Sequence, residues 1–304
     1  MRILFMGTPE FAAVSLSALI GAGHEVTGVV TQPDKPVGRK QVLTPPPVKA
    51  LALEKGLPVY QPETLKGRAV EGLLGDLDAI AVVAYGRILP RYVLEAPRFG
   101  CINVHGSLLP KLRGAAPIQR SIINGDARTG VTTIYMDAGM DTGDMILSKA
   151  APIGEYETSD ELFSRLAPVG AGLLIETLAL VGQGTAPRRP QDEALATYAP
   201  PLDKAEAPLD FTKPAAVLSK QVCGQNPWPV AETMLFDKRL KVYGARKGGP
   251  ADLAPGTANG TPEGIAVACG DGELLILTDI QLEGGKRMPA SVFLNGRPVK
   301  ELKL

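Results

Sequence analysis

The stretch MRILFMGTPEFAAVSLSALIGAGHEVTGVV, residues 1–30, decides the fold class of this chain. It opens with a compact apolar run at residues 3–6 that ends at Gly7. A segment with apolar residues at helical spacing follows, and residues 26–30 form a second apolar run. Two buried strands joined by a helix predict a right-handed crossover between parallel strands.

The same alternation of apolar runs and helical segments continues to residue 182. Strands are predicted at residues 79–84 and 102–104, a helix at 69–74, and a long helix at 158–181. Continuous apolar strands between helices are typical of a mostly parallel sheet that helices cover on both faces. Residues 1–182 are therefore predicted to form a Rossmann-like α/β domain.

The character of the chain changes after Gly182. Residues 183–208 are rich in proline and polar side chains and show little periodicity, which predicts a linker. Short apolar runs follow, and Gly270-Asp271-Gly272 is a hairpin turn signal before one of them. Residues 209–304 are therefore predicted to form a small β-barrel domain.

Composition limits the class of protein. The 304 residues are 45% hydrophobic and 21% charged, with 32 basic and 32 acidic side chains, which is typical of a globular enzyme and not of a basic nucleic-acid coat. The three cysteines lie far apart without a CxxC pair, and the sequence contains no apolar run of about 18 residues. We therefore expect a cytoplasmic monomer with no metal site and no association with a membrane.

The loop after the first strand argues against one class of enzyme. Gly7-Thr8-Pro9-Glu10-Phe11 stands where a dinucleotide-binding protein carries GxGxxG, and Pro9 and Phe11 occupy positions that would need glycine. The second strand also ends without an acidic residue. Nicotinamide-dependent oxidation is therefore disfavoured, and Gly7 is interpreted as a tight turn from strand to helix.

A histidine and an asparagine mark the end of a buried strand. His105 is one of only two histidines, and Asn103 lies two residues before it, so both side chains point to the same side of an extended strand. Ligands bind beyond the carboxyl ends of strands in open parallel sheets. An amide donor beside an imidazole suits stabilisation of an oxyanion and proton transfer. A buried hydrogen-bonded pair without a catalytic role is the alternative.

A carboxylate from another loop could complete this group. Residues 137–144 contain three aspartates and two glycines, and Asp141 is the candidate partner of His105 because nearby glycines allow close backbone approach. A solvated turn and a cation-binding loop are alternatives. The spacing lacks the twelve-residue pattern of a calcium-binding hand.

Two loops at neighbouring strand ends carry apolar side chains. They comprise residues 85–90 and residues 107–114. Loops normally carry such side chains only where a ligand contacts them or where they are buried in the core. Together they predict a slot for a flat heterocycle, with packing in the core as the alternative.

These segments, taken in order, resemble the signature of the 10-formyltetrahydrofolate-dependent formyltransferases. The similarity rests on residues 103–110, 113–119 and 137–144, covers nearly the whole chain and is supported at residues 7–11, 31–36, 84–86 and 226–229. Within the family, the chain is most similar to the members that formylate methionine on initiator tRNA. The resemblance implies 10-formyltetrahydrofolate as the formyl donor and an OB-like carboxyl-terminal domain that assists tRNA binding.

The resemblance also implies the residues of the site. Asn103, His105 and Asp141 would be catalytic, and the pterin would lie between the two apolar loops. The product would be N-formylmethionyl-tRNA for translation initiation. The implied folate-binding residues are Tyr85, Gly86, Ile88, Leu89, Ser107, Leu108, Leu109 and Pro110.

A long loop at residues 32–47 is the predicted tRNA contact. Loops of this length are usually functional or disordered, and its basic residues Lys35, Arg39 and Lys40 face one acid, Asp34. In the family this segment enters the acceptor stem, and Arg39 matches its leading arginine. Lys40 departs from the family pattern, which has glycine there. A plain solvated loop is the alternative.

Rival functions remain at this point. A formyltransferase acting on a sugar-nucleotide amine and a formyl-tetrahydrofolate hydrolase would share the three catalytic residues. The basic loop and residues 226–229 favour tRNA instead. A non-catalytic RNA-binding module would have no need of Asn103, His105 and Asp141.

Overall fold

The computed structural model describes residues 1–38 and 41–304. The chain divides into two compact units. The first unit comprises Met1–Pro117, Thr129–Ala151 and Phe163–Ala199, and the second comprises Ile118–Arg128, Pro152–Leu162 and Pro200–Leu304. This division differs from the sequence-based boundaries at residues 182 and 208, because residues 183–199 belong to the first unit and two earlier segments belong to the second.

The first unit is built on a mostly parallel sheet. Its strands are β1 Arg2–Gly7, β2 Glu25–Val30, β5 Val59–Tyr60, β6 Ala79–Val83, β7 Cys101–His105, β8 Arg128–Tyr135 and β9 Met145–Pro152. The order across the sheet is β5-β2-β1-β6-β7-β8-β9. Neighbouring strands from β5 to β7 run parallel, and β8 runs antiparallel to β7. A separate two-stranded hairpin consists of β3 Lys35–Val37 and β4 Val42–Thr44.

Within the described residues, five α-helices precede residue 184. They are α1 Glu10–Gly21, α2 Pro47–Glu54, α3 Arg91–Leu94, α4 Pro117–Ile123 and α5 Ser159–Gln183. The helix predicted at residues 69–74 is wrong, because the chain forms short 3-10 turns at Lys66–Arg68 and Glu71–Leu73 instead. Gly67 has a φ of 63° there, and glycine is a poor helix former, while Val70 and Leu74 still reach the core.

Helix α5 packs closely against the sheet. A Cβ atom at Gly170 would lie 3.1 Å from Cγ1 of Val104 and 3.3 Å from the ring of Phe11, so only a small residue fits between helix and strand. By length and composition, α5 is the one helix of the described chain that could cross a membrane, and half of its most apolar stretch is buried in the protein. Buried apolar helices of this kind are common in the cores of globular domains.

Gly7 is required by close approach. A Cβ atom there would lie 2.7 Å from Cβ of Ala12 and 2.8 Å from the carbonyl oxygen of Val83. Gly7 is not among the glycines with positive φ. The end of β1 is therefore pressed between α1 and β6, which brings the carboxyl ends of β1 and β6 together.

The second unit contains an antiparallel sheet with a helix against it. Its strands follow the order β10-β11-β14-β13-β12-β16, with β15 beside β14. They are β10 Ala231–Leu235, β11 Lys238–Pro250, β12 Thr257–Thr261, β13 Gly264–Ala268, β14 Glu273–Leu282, β15 Met288–Pro289 and β16 Leu302–Lys303, and the helices are α6 Ala215–Gly224 and α7 Ala290–Leu294. Three irregularities in register between β11 and β14 let the long strands bend.

The core of this unit joins sheet and helix. Leu218 and Val222 of α6 and Val242 and Leu277 of the sheet are fully buried in one cluster. The predicted fold class, a Rossmann-like sheet followed by a small OB-like β-barrel domain, is confirmed.

Candidate functional site

The carboxyl ends of the central strands define the site. The chain leaves β1 towards β2 and β5 on one side, whereas β6 and β7 lie on the other, so the strand order changes direction at β1. Open α/β sheets bind ligands at such a point. Strand β7 ends at His105 in this region.

Asn103 and His105 lie in the last three residues of β7. Both are buried, with 8% and 5% of their surfaces exposed. Nε2 of His105 lies 2.9 Å from the carbonyl oxygen of Leu112, which can only accept, so Nε2–H donates this hydrogen bond. The neutral imidazole therefore carries its proton on Nε2, which leaves the lone pair of Nδ1 free to accept a proton.

The carboxylate of Asp141 faces Nδ1 and accepts a hydrogen bond from it only when that nitrogen is protonated. Oδ2 of Asp141 lies 3.6 Å from Nδ1 of His105, and Oδ1 accepts from Nδ2 of Asn103 at 3.5 Å. The backbone N–H of Gly114 donates to Oδ2 at 2.8 Å. The structure thus brings together the three predicted catalytic side chains, from one strand and one loop. Their separations are long for hydrogen bonds and can shorten around a substrate.

The other acidic residues of the Asp141 loop have local roles. Oδ1 of Asp137 accepts from the backbone N–H of Gly139 at 3.0 Å and from Oγ1 of Thr142 at 2.7 Å. Arg188 pairs with Asp144 at 3.4 Å. Across residues 1–38 and 41–304, no group of three or more His, Cys, Asp or Glu side chains could hold a metal ion.

The first predicted folate loop contributes mostly backbone to the surface. The side chains of Tyr85 and Leu89 are buried in the core cluster of the first unit. Burial raises the pKa of Tyr85, so its phenol stays protonated. Gly86 is exposed, with a φ of 81°, and Ile88 exposes 84% of its surface. The carbonyl of Tyr85 accepts from Oγ1 of Thr8 and Nε2 of Gln32, which fixes this loop beside the ends of β1 and β2.

The second predicted folate loop is held more tightly. Ser107 is buried, and its hydroxyl donates to the carbonyl of Lys111 at 2.6 Å. Leu109 is buried, whereas Leu108 and Pro110 are half-buried. Gly86, Ile88, Leu108 and Pro110 are therefore the predicted folate residues that the fold leaves accessible.

Sequence reasoning missed a polar network behind Asp141. Gln191, in the predicted linker, donates to the carbonyls of Asp141 and Gly143 at 2.7 and 2.8 Å. The fully buried Arg113 donates to Gln191 and to Glu193. An arginine within an apolar loop was the available signal, because a buried arginine needs an acidic partner.

The predicted tRNA contact forms the β3–β4 hairpin. Lys35 opens β3 and is exposed, and Val42 and Leu43 expose 58% and 65% of their surfaces. Arg39 and Lys40 lie outside the described residues. Of the three basic residues predicted to contact tRNA, Lys35 is therefore the one that the structure describes.

Comparison with known proteins gives consistent matches. The formyl transferase model matches residues 1–178, and the model of the formyl transferase C-terminal domain matches residues 201–298. The methionyl-tRNA formyltransferase of Moorella thermoacetica is 50% identical over 306 aligned positions, which cover 98% of this chain and 97% of that protein. That of Pelotomaculum thermopropionicum is 48% identical, covering 99% and 97%.

Solved structures show the same architecture. The N-formyltransferase from Helicobacter canadensis, in complex with folinic acid and dTDP-3-aminofucose, gives a TM-score of 0.71 over 91% of this chain and 98% of that chain. The sequence identity is 17%, so this likeness concerns the fold alone.

Proposed function

This chain belongs to the formyl transferase family, and from that membership we propose that it transfers the formyl group of 10-formyltetrahydrofolate to the α-amino group of methionyl initiator tRNA. The product would be N-formylmethionyl-tRNA for translation initiation. Two relatives at 50% and 48% identity that carry the name methionyl-tRNA formyltransferase support this acceptor. The sugar-acting structural neighbour, at 17% identity, is far more distant.

One observation supports the chemistry above the others. An amide, an imidazole and a carboxylate, from Asn103, His105 and Asp141, meet within 3.6 Å at the carboxyl end of β7. Formyl transfer between amines needs a donor for the developing oxyanion and a group that moves a proton, and this trio supplies both.

The first step is attack by the α-amine on the formyl carbon. A new C–N bond forms, and the carbonyl electron pair moves onto the formyl oxygen. Nδ2 of Asn103 donates a hydrogen bond to that oxygen. Because Nε2 of His105 is held by Leu112, Nδ1 is the ring nitrogen that accepts the proton lost by the amine. The Asp141 carboxylate, 3.6 Å from Nδ1, stabilises the resulting imidazolium.

The second step restores the carbonyl. The bond from the formyl carbon to N10 of the folate breaks, and N10 takes the proton from Nδ1 of His105. The products are the formylated amine and tetrahydrofolate, with no net change in protons on the protein. The accessible residues Gly86, Ile88, Leu108 and Pro110 provide the edge on which the pterin would lie, and the buried members of both loops hold that edge in place.

The hairpin of residues 35–44 is proposed to hold the tRNA. Lys35 is exposed near its base, and the sequence between the two strands includes Arg39 and Lys40. Phosphate contacts of this kind give affinity that falls as salt rises. Because the chain as a whole carries no net charge, we expect the contact to depend on this local patch.

The proposal predicts the behaviour of Asn103→Ala. Loss of one oxyanion donor typically costs about a hundredfold or more in rate, so kcat should fall by about that factor while the KM for the folate changes little. The exposed Asn124→Ala is the control and should keep wild-type kinetics. The measurement is transfer of labelled formyl from the folate to methionyl-tRNA.

Acceptor choice is tested in the same assay. Deacylated tRNA and an amino-sugar nucleotide replace methionyl-tRNA in parallel reactions. Turnover with the sugar nucleotide alone would assign the chain to the sugar-acting branch, and near-normal turnover by Asn103→Ala would remove that residue from catalysis.

A further inference from the structure

The segment from Gln191 to Ala199 forms hydrogen bonds with two loops, the one that contains Asp141 and the one that contains residues 112–114. The backbone N–H of Arg113 donates to the carbonyl of Thr197 at 2.8 Å, and that of Ala199 donates to the carbonyl of Arg113 at 2.7 Å. Oγ1 of Thr197 accepts from the N–H of Leu112 at 2.9 Å. The segment therefore fixes residues 112–114, which supply the carbonyl that holds His105 and the N–H that holds Asp141.

The side-chain amide of Gln191 is fully committed. Its Oε1 accepts from Nε of Arg113 at 3.0 Å, so the orientation of the amide is set by the arginine. Its two N–H groups then point at the carbonyls of Asp141 and Gly143. The guanidinium is fixed in turn, since its other two nitrogens donate to Glu193 at 2.9 and 2.8 Å.

Asp141 needs such support because its backbone is strained. Its φ is 55°, in the left-handed region that costs a residue with a Cβ atom about 1 kcal/mol or more. A conformation of this kind persists only where the surroundings determine it. Gln191 holds the carbonyl of Asp141, and Gly114 holds its carboxylate, so backbone and side chain are anchored from two directions.

We propose that Gln191, held in orientation by Arg113, is a positioning residue that fixes the Asp141 carboxylate for proton transfer through His105. The inference rests on the proposed function, because it assigns Gln191 to that reaction. It makes the segment after α5 part of the active site, although it touches no reacting atom. A displacement of about 1 Å in a catalytic group can cost a hundredfold in rate.

Gln191→Glu tests this role. The carboxylate still accepts from Arg113 but cannot donate to the carbonyls of Asp141 and Gly143, and it repels them. The matched control is Gln221→Glu, because Gln221 of the second unit likewise donates to two backbone carbonyls, those of Glu206 and Pro208 at 2.8 and 3.3 Å. Both variants lose the same kind of hydrogen bonds.

We expect kcat of Gln191→Glu to fall about ten- to a hundredfold, with the KM values of both substrates within about twofold of wild type. Gln221→Glu should keep wild-type kcat, although both variants lower the melting temperature. Wild-type kcat in Gln191→Glu, or an equal fall in both variants, would overturn the inference.

A second readout does not depend on turnover. The chain has only two histidines, so the ring resonances of His105 can be assigned by comparison with His24→Gln. Gln191→Glu should shift the His105 ring signals, because the Asp141 carboxylate moves relative to Nδ1, whereas Gln221→Glu should not. An unshifted His105 spectrum in Gln191→Glu overturns the positioning role. A wild-type protein without transfer to methionyl-tRNA overturns the proposed function separately.

Discussion

At position 113 a fully buried arginine is paired with a glutamate that is 70% exposed at its side chain. Hydrogen bonds from Arg113 lower the pKa of Glu193, and the same contacts raise the pKa of Arg113. A carboxyl whose folded-state pKa is lowered stabilises the fold above its ordinary value of about 4.5, and this contribution is lost as pH falls through the lowered pKa.

This sign predicts the pH dependence of Glu193→Gln. At neutral pH the variant should melt at a lower temperature than the wild type, because Arg113 loses its charged partner. The difference should shrink as pH falls below about 4.5 towards the lowered pKa, since the wild-type carboxyl then becomes neutral as well. Thermal melts from pH 7 to about pH 3 measure it. A difference that stays constant over this range would contradict the prediction.

At the scale of elements, the β3–β4 hairpin depends on contacts at its base. Nζ of Lys49 donates to both carboxylate oxygens of Asp34 and to Oε1 of Gln61, each at 2.8 Å. The side chains of Lys49 and Asp34 are both about one-fifth exposed. The hydrogen bond from Lys49 lowers the pKa of Asp34. The start of the hairpin is thereby tied to α2 and to the end of β5.

Lys49→Met should loosen this hairpin without touching the catalytic residues. Given the proposed role of the hairpin, we expect the KM for methionyl-tRNA to rise about three- to tenfold while the KM for the folate stays within about twofold, a change of about 1 kcal/mol in binding. Lys55→Met is the control, because Lys55 pairs only with the neighbouring Glu54 among its described contacts and is half-exposed. Equal KM values for tRNA in the two variants would refute the anchoring role.

The elements that sequence predicts well are those with a local signal. The β1–α1–β2 unit follows from apolar runs and helical spacing within thirty residues, and the structure has all three elements. The sequence of residues 35–44 predicts only a loop, because two strands of three residues are too short for an alternating pattern to show. Helix α6 is likewise not predicted, since it follows the proline-rich stretch that predicts a linker.

The candidate site divides in the same way. Asn103 and His105 share one strand, so their proximity follows from the period of the pleat. Asp141 could be proposed because glycines surround it. The buried arginine hints at a polar network, but the role of Gln191 itself does not follow from the sequence, because its amide meets carbonyls about fifty residues away and no spacing rule connects them.

For the whole molecule, the burial of the three cysteines reports on the packing within each of the two units. Cys101 and Cys269 expose 1% of their surfaces and Cys223 exposes 2%. Burial raises the pKa of Cys101 to about 12 and the pKa values of Cys223 and Cys269 to about 11. The reactive thiolate is therefore scarce in the folded protein at any physiological pH.

We expect the native protein to react very slowly with a thiol reagent such as dithionitrobenzoate at about pH 8. In denaturant the same sample should release three equivalents per chain. Cys101 lies in the first unit and the other two in the second, so partial unfolding of either unit would appear as one or two fast equivalents. Rapid labelling of the native protein would contradict this packing.

The left-handed backbone at Asp141 creates a conflict between thermal stability of the fold and catalytic turnover. A programme of stabilisation guided by backbone preference would choose glycine there and gain about 1 kcal/mol from relief of strain. The same choice would remove the carboxylate opposite His105 and silence the proposed reaction. Engineering of this protein for thermostability should therefore keep Asp141 and introduce stabilising substitutions at other positions.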